Sequence, residues 1–384
     1  MEQVTDPPMT RRVWLLASAA ALSCGRKRAT GFPGYCFVSD QANRSLVAVD
    51  LQRFSIAKRI QLDAPPAALA VFGDTSHPRV YALAPESGVV YEIDAAGLAV
   101  AGRSSAGAQA VGMRLDPSET LWVLYREPAV LASSPLDNFR LTRRVSLPAQ
   151  PDFFDLSEDG RAAVASRQSR TVSIVSLTSG KVERTIATGV EPTLVQFRQD
   201  GRHLLVGSAP ERCLAIFDVA TGKTVVRLPL PIAPRHFAVT SNGGQFFISG
   251  DGSDVVVIVF PFSTEIDQSI LAGRKPGTMA LTDAFKSPTY LLVANPESAG
   301  VTILDMDMRR LVATARVGEG PTDILITPDN QYALVLGQVS ADLAVIRLAT
   351  LAEDQVHRFK TAPLFTLLPL GGKPVAAAVV QTAA

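Results

Sequence analysis

A set of four strand-like segments recurs about every 42 residues along this chain, a period characteristic of β-propellers and other closed arrays. No single copy can bury its own apolar faces, so the repeat dictates stacking of neighbours. One copy reads YLLVAN at 290–295, VTILDM at 301–306, LVATARV at 311–317 and TDILI at 322–326. Another reads RAAVAS at 161–166, TVSIVS at 171–176, VERTIA at 182–187 and TLVQF at 193–197. A third reads HLLVGS at 203–208, LAIFDV at 214–219, VVRLPL at 225–230 and HFAV at 236–239. Weaker copies start near Tyr35, Val80, Thr120, Gln245 and Tyr332.

Each run is short, apolar and bounded by Gly, Pro, Asn or Asp, the pattern of a β-strand. Asp159 with Gly160, Asp200 with Gly201, Asn242 with Gly243, and Asp329 with Asn330 separate an innermost strand from the next. These residues supply the positive φ that tight hairpins need. Ser179 with Gly180 and Thr221 with Gly222 serve the turn between third and fourth strands. Two nearly unbroken apolar strands per copy predict sheets covered on both faces by adjacent blades.

The residues Ala294 and Asn295, VTILDM at 301–306, Gly318 with Pro321, and TPD at 327–329 resemble the YVTN repeat. Gly189–Pro192, Gly273–Pro276 and Gly371–Pro374 repeat its glycine–proline turn, and VSDQANRSLVAVD at 38–50 follows its first two elements. The resemblance covers residues 35–380. It departs at 120–157, which has almost none of the signature, and where Asp40, Ala84 or Ser166 replaces the Asn. It implies a β-propeller related to cell-surface repeat proteins, export-linked propellers and lactonase-like enzymes.

The expected fold is all-β: a propeller of eight four-stranded blades, with seven as the alternative if 120–157 or 331–370 is not a blade. Innermost strands are expected near 67, 110, 153, 193, 236, 278, 322 and 375. The last of these, at the C-terminus, completes the first blade and closes the ring, which removes free sheet edges. Residues 31–384 form a single domain, with Thr350–Thr361 as a surface insertion.

Residues 1–30 read as an export signal. Arg11 and Arg12 precede the apolar run VWLLASAAAL at 13–22, then Ser23, Cys24 and Gly25, the order of basic, apolar and small residues. Cys24 resembles a lipoprotein cleavage and lipidation site, although Ala21 stands where Leu is usual, and the arginine pair resembles a twin-arginine signal. Periplasm, or outer membrane through a lipid anchor, is the expected location. No run of about 18 apolar residues, the length needed to span a bilayer, occurs in the sequence.

Net charge is +1, too little basic excess for a nucleic-acid footprint. Beyond Cys24 the cysteines are Cys36 and Cys213, on opposite sides of an eight-blade ring and so not bridged. Neither a Gly-x-Ser-x-Gly elbow, a haem-attachment motif nor a phosphate loop occurs. The four histidines, His77, His203, His236 and His357, are not spaced as metal pairs. No catalytic residue, metal site or cofactor is therefore assigned.

Loops entering the innermost strands ring the channel mouth. They carry Glu191, Arg235, His236, Lys275, Glu319 and Lys373, the candidate ligand-binding set. His236 is the sharpest candidate, since an imidazole there can act as base or ligand near neutral pH. Lys275 and Lys373, in equivalent turns, make the mouth positive together with Arg235. Two functional classes follow. One is an extracytoplasmic binding or scaffolding propeller, monomeric, taking an envelope protein, a glycan or a small ligand at its mouth. The other is a lactonase-like hydrolase or a quinoprotein-dehydrogenase-like enzyme.

Overall fold

The computed structural model describes residues 31–73, 75–285, 288–351 and 364–382. The export segment with Cys24, and most of the 350–361 insertion, lie outside the described residues. Within Phe32–Ala384 there are eight antiparallel four-stranded sheets. Blades 2 to 8 occupy residues 68–105, 108–146, 153–187, 194–229, 233–271, 279–316 and 321–369. Blade 1 combines residues 34–61 with the C-terminal strand Pro374–Gln381. The weak copy at 120–157 supplies three strands of blade 3 and the innermost strand of blade 4, so the count is eight and not seven.

Closure is antiparallel pairing of Pro374–Gln381 with Gly34–Asp40, running from Tyr35 opposite Val380 to Asp40 opposite Pro374. Each innermost strand also packs against the innermost strand of the next blade, all the way round. The sequence pattern explains the layering. Second and third strands, such as Phe246–Asp251 and Val255–Phe260, are almost wholly buried. Outermost strands such as Ser55–Gln61 are almost wholly exposed. Innermost strands such as Ala68–Phe72 are partly buried along their whole length, as the wall of a solvent-reached channel should be.

The core is divided into eight apolar clusters, each lying between two neighbouring blades. Leu205, Leu214 and Ile216 of blade 5 meet Phe246, Ile248 and Val257 of blade 6. The seam is built in the same way: Cys36, Val38 and Val47 of blade 1 meet Leu334, Leu336 and Leu343 of blade 8. Burial by radial stacking is thus the main source of stability. Cys36 and Cys213 are buried free thiols on strands of blades 1 and 5.

Candidate ligand site at the channel mouth

Antiparallel alternation puts two sets of loops on one face: those entering the innermost strands and those joining second to third strands. This face carries the candidate set. Four innermost strands also have a register shift near it, leaving Val111, Arg235, Thr322 and Val375 as the extra residue. Such bulges re-aim side chains at functional rims.

The mouth is less positive than the sequence suggests, because Arg235 and Lys275 are paired with carboxylates. Arg235 Nε donates to Asp251 Oδ2 at 2.8 Å. Lys275 Nζ lies 3.5 Å from Glu297 Oε1, and its amide donates to Asp254 Oδ1 at 2.9 Å. Glu191 Oε1 lies 3.4 Å from Arg167 Nε. The Lys373 amide donates to Asp40 Oδ1 at 3.0 Å. Exposed ion pairs of this kind contribute little stability, but they fix loop positions and cancel charge. Lys275 lines an open cleft of about 680 Å³ with Asp251, Asp254, Leu271 and Glu297, and Arg235 adjoins it through its pair with Asp251. Glu191, Glu319 and Lys373 sit elsewhere on the rim, at the entries to blades 5, 8 and 1.

His236 lies just inside the mouth, opposite Ser249 in the register of blade 6. It is half-buried, and its imidazole has no hydrogen-bond partner among the described residues. Burial pushes its pKa below the usual 6.5; Arg235 adds to this and Asp251 opposes it. The ring is therefore neutral at pH 7, with a free nitrogen lone pair at the channel wall.

Sequence reading missed a second group of polar residues lower in the channel. Arg114, Asp155 and Gln196 face Trp122, Ala163 and Leu205, each the third residue of the second strand in blades 3, 4 and 5. Asp155 Oδ2 accepts the Phe197 amide of the next blade at 2.8 Å. Burial raises its pKa, against the pull of that amide, Arg114 and the Leu156 amide. Asp323 of blade 8 makes the corresponding inter-blade bond, accepting the Ala377 amide at 3.4 Å. Each of these stands alone inside an apolar run, so only alignment of the innermost strands would have exposed them. Among the described residues no group of three His, Cys, Asp or Glu is placed to hold a metal ion.

No family model matches the chain. A seven-bladed β-propeller protein of Mycobacterium tuberculosis, Rv1057, is 23% identical over 150 residues, which is 38% of this chain and 38% of that relative. Among solved structures, dihydro-haem d1 dehydrogenase NirN in complex with DHE superposes with a TM-score of 0.72 at 16% identity, covering 94% of this chain and 78% of NirN. A candidate 6-phosphogluconolactonase of Bacteroides fragilis superposes with a TM-score of 0.57 at 15% identity, covering 93% of this chain and 99% of that one. At these identities the likeness is one of fold.

Proposed function

We propose that this chain is an extracytoplasmic binding propeller of YVTN-repeat type, tethered to the cell envelope through Cys24, that holds a ligand at its channel mouth against His236. The observation that carries the reading is the half-buried, unpartnered imidazole on the channel wall beside a bulge. Buried polar groups in folded proteins nearly always have a partner; a group left free in a channel is available to a ligand. A neutral imidazole is also the commonest side-chain metal ligand. Because NirN is described in complex with DHE, an iron tetrapyrrole is the first ligand to try. His236 would hold its iron, and the tetrapyrrole would supply the chromophore that reports binding.

The test is titration of the purified chain with haemin at pH 7, followed by absorbance. The parent should give a saturable Soret shift, and His236→Ala should lose it. The shift should also fade as pH falls below 6.5, because protonation removes the lone pair. A parent chain that gives no shift overturns the proposal. Turnover of aldonolactones that disappears in His236→Ala would instead support the hydrolase reading. For the tether, mass spectrometry of the membrane fraction should find a mature chain beginning at acylated Cys24. An unmodified chain beginning at Met1 in cytosol would refute export.

A further inference from the structure

The channel wall is divided by polarity. Blades 3, 4 and 5 each contribute one polar group to its middle, Arg114, Asp155 and Gln196, and His236 of blade 6 lies one residue nearer the mouth. At the tier facing the third residue of the second strand, blades 7, 8 and 2 present Ala280, Leu325 and Ala70. The closing strand of blade 1 is apolar through this stretch, with Ala376 and Val379 partly exposed. Three consecutive blades are thus polar at this depth, and the other five are apolar, blade 6 through Phe237 opposite Ile248. Asp323, the acid on the apolar side, sits nearer the mouth, opposite Leu336, with its oxygens committed to the Ile324 and Ala377 amides.

The groups on the polar side are not equally committed. Asp155 is fixed by the Phe197 amide. Arg114 is exposed on an innermost strand. It donates once, through Nη1 to Met113 O at 3.1 Å, and lies 5.9 Å over the Phe154 ring. It has no ion pair among the described residues, unlike Arg235, Arg167 and Lys275 at the rim. The Gln196 side chain has no hydrogen-bond partner among the described residues either. A guanidinium carries five donors in a fork that matches a carboxylate, and most of these are unused.

We propose that the channel admits an amphiphilic carboxylate, with the acid group held by Arg114 and the apolar body laid along the apolar wall of blades 7, 8, 1 and 2. This rests on the reading of the channel as a ligand site, but not on His236 holding a metal. Asp155 acts as a positioning residue: anchored to blade 5, it keeps a negative charge near the guanidinium without closing an ion pair on it.

The test is calorimetric titration of the full chain with dodecanoate and, as the uncharged control, dodecanol. The parent should bind dodecanoate more tightly than dodecanol. Arg114→Gln should weaken dodecanoate by about tenfold or more, the loss expected for a charge-assisted hydrogen bond, while leaving dodecanol unchanged. Arg114→Lys should fall between, retaining charge but not the fork. Each variant is first shown to melt with the parent, so that a folding defect is not read as lost affinity. Equal dodecanoate affinity in parent and Arg114→Gln overturns the proposal, as does equal binding of acid and alcohol by the parent. Dodecanoate binding that survives in His236→Ala, with no haemin shift in the parent, would remove the metal-ligand reading and leave this one standing.

Discussion

Asp323 shows how a single side chain can tie the seam and weaken it at once. Its oxygens accept the Ile324 amide at 3.0 Å and the Ala377 amide, on the closing strand, at 3.4 Å. Burial nevertheless raises its pKa from 3.8 to about 6, since those amides recover only part of the lost hydration. It also helps push the thiol of fully buried Cys36 upward, behind the larger effect of burial itself. A carboxyl raised in the folded state favours the neutral form. Its contribution is therefore fullest below 3.8 and declines as pH rises through about 6. The difference corresponds to about 3 kcal/mol against the charged form. Asp323→Asn keeps one acceptor oxygen and removes the charge. Relative to the parent it should gain stability between pH 4.5 and pH 7.5, by no more than about 3 kcal/mol, measured by urea denaturation at both values. A parent-to-variant difference that does not change with pH would refute the assignment.

At the scale of the blade, the repeat signature acts between blades. Asn295 ends the second strand of blade 7 and is buried. Its Nδ2 donates to Ala272 O, just past the outermost strand of blade 6, at 2.7 Å, and its Oδ1 accepts from Thr302 Oγ1 at 2.7 Å. Asp40 at the same place in blade 1 accepts the Lys373 amide, which leads into the closing strand. Ser166 at the same place in blade 4 has a buried hydroxyl with no partner among the described residues. The two positions should therefore respond differently to the same change. Asn295→Ala strands two buried groups and should cost about 2–4 kcal/mol, whereas Ser166→Ala removes an unpaired hydroxyl and should cost nearly nothing or stabilise. Thermal unfolding of the two variants decides the matter; equal losses would show that the position contributes through packing alone. The strands themselves were legible because apolar runs and turn residues are local signals, and even the degenerate copy at 120–157 kept them. The ion pairs Arg167–Glu191 and Lys275–Glu297 were not, because each joins loops more than twenty residues apart. The polar tier of Arg114, Asp155 and Gln196 was hidden for another reason: a lone polar residue in an apolar run acquires meaning only when equivalent positions of different blades are set side by side.

For the whole molecule, the decisive contact is the one between the two ends of the described chain. Every other blade is a continuous piece of sequence, its strands pairing in chain order, mostly through short hairpins. Blade 1 must recruit its innermost strand from more than three hundred residues away, a non-local pairing that forms late and costs the most loop entropy. The seam compensates with several contacts at once. The ladder runs from Tyr35 opposite Val380 to Asp40 opposite Pro374, and the Gln41 amide donates to Lys373 O at 2.9 Å. Val380 enters the apolar cluster shared by blades 1 and 2, and Ala377 the one shared by blades 8 and 1. Removing residues 374–384 would leave the inner edge of Gly34–Asp40 unpaired, strip the Ala377 amide from Asp323 and open both clusters to water. A total stability on the order of 5–15 kcal/mol does not survive losses of that kind. The truncated chain should therefore lose its cooperative melt and expose Cys36 to thiol reagents under conditions where the parent protects it. Adding a peptide of residues 374–384 should restore both protection and melting. A truncated chain that melts with the parent and keeps Cys36 shielded would mean that blade stacking alone maintains the ring, with the terminal strand dispensable.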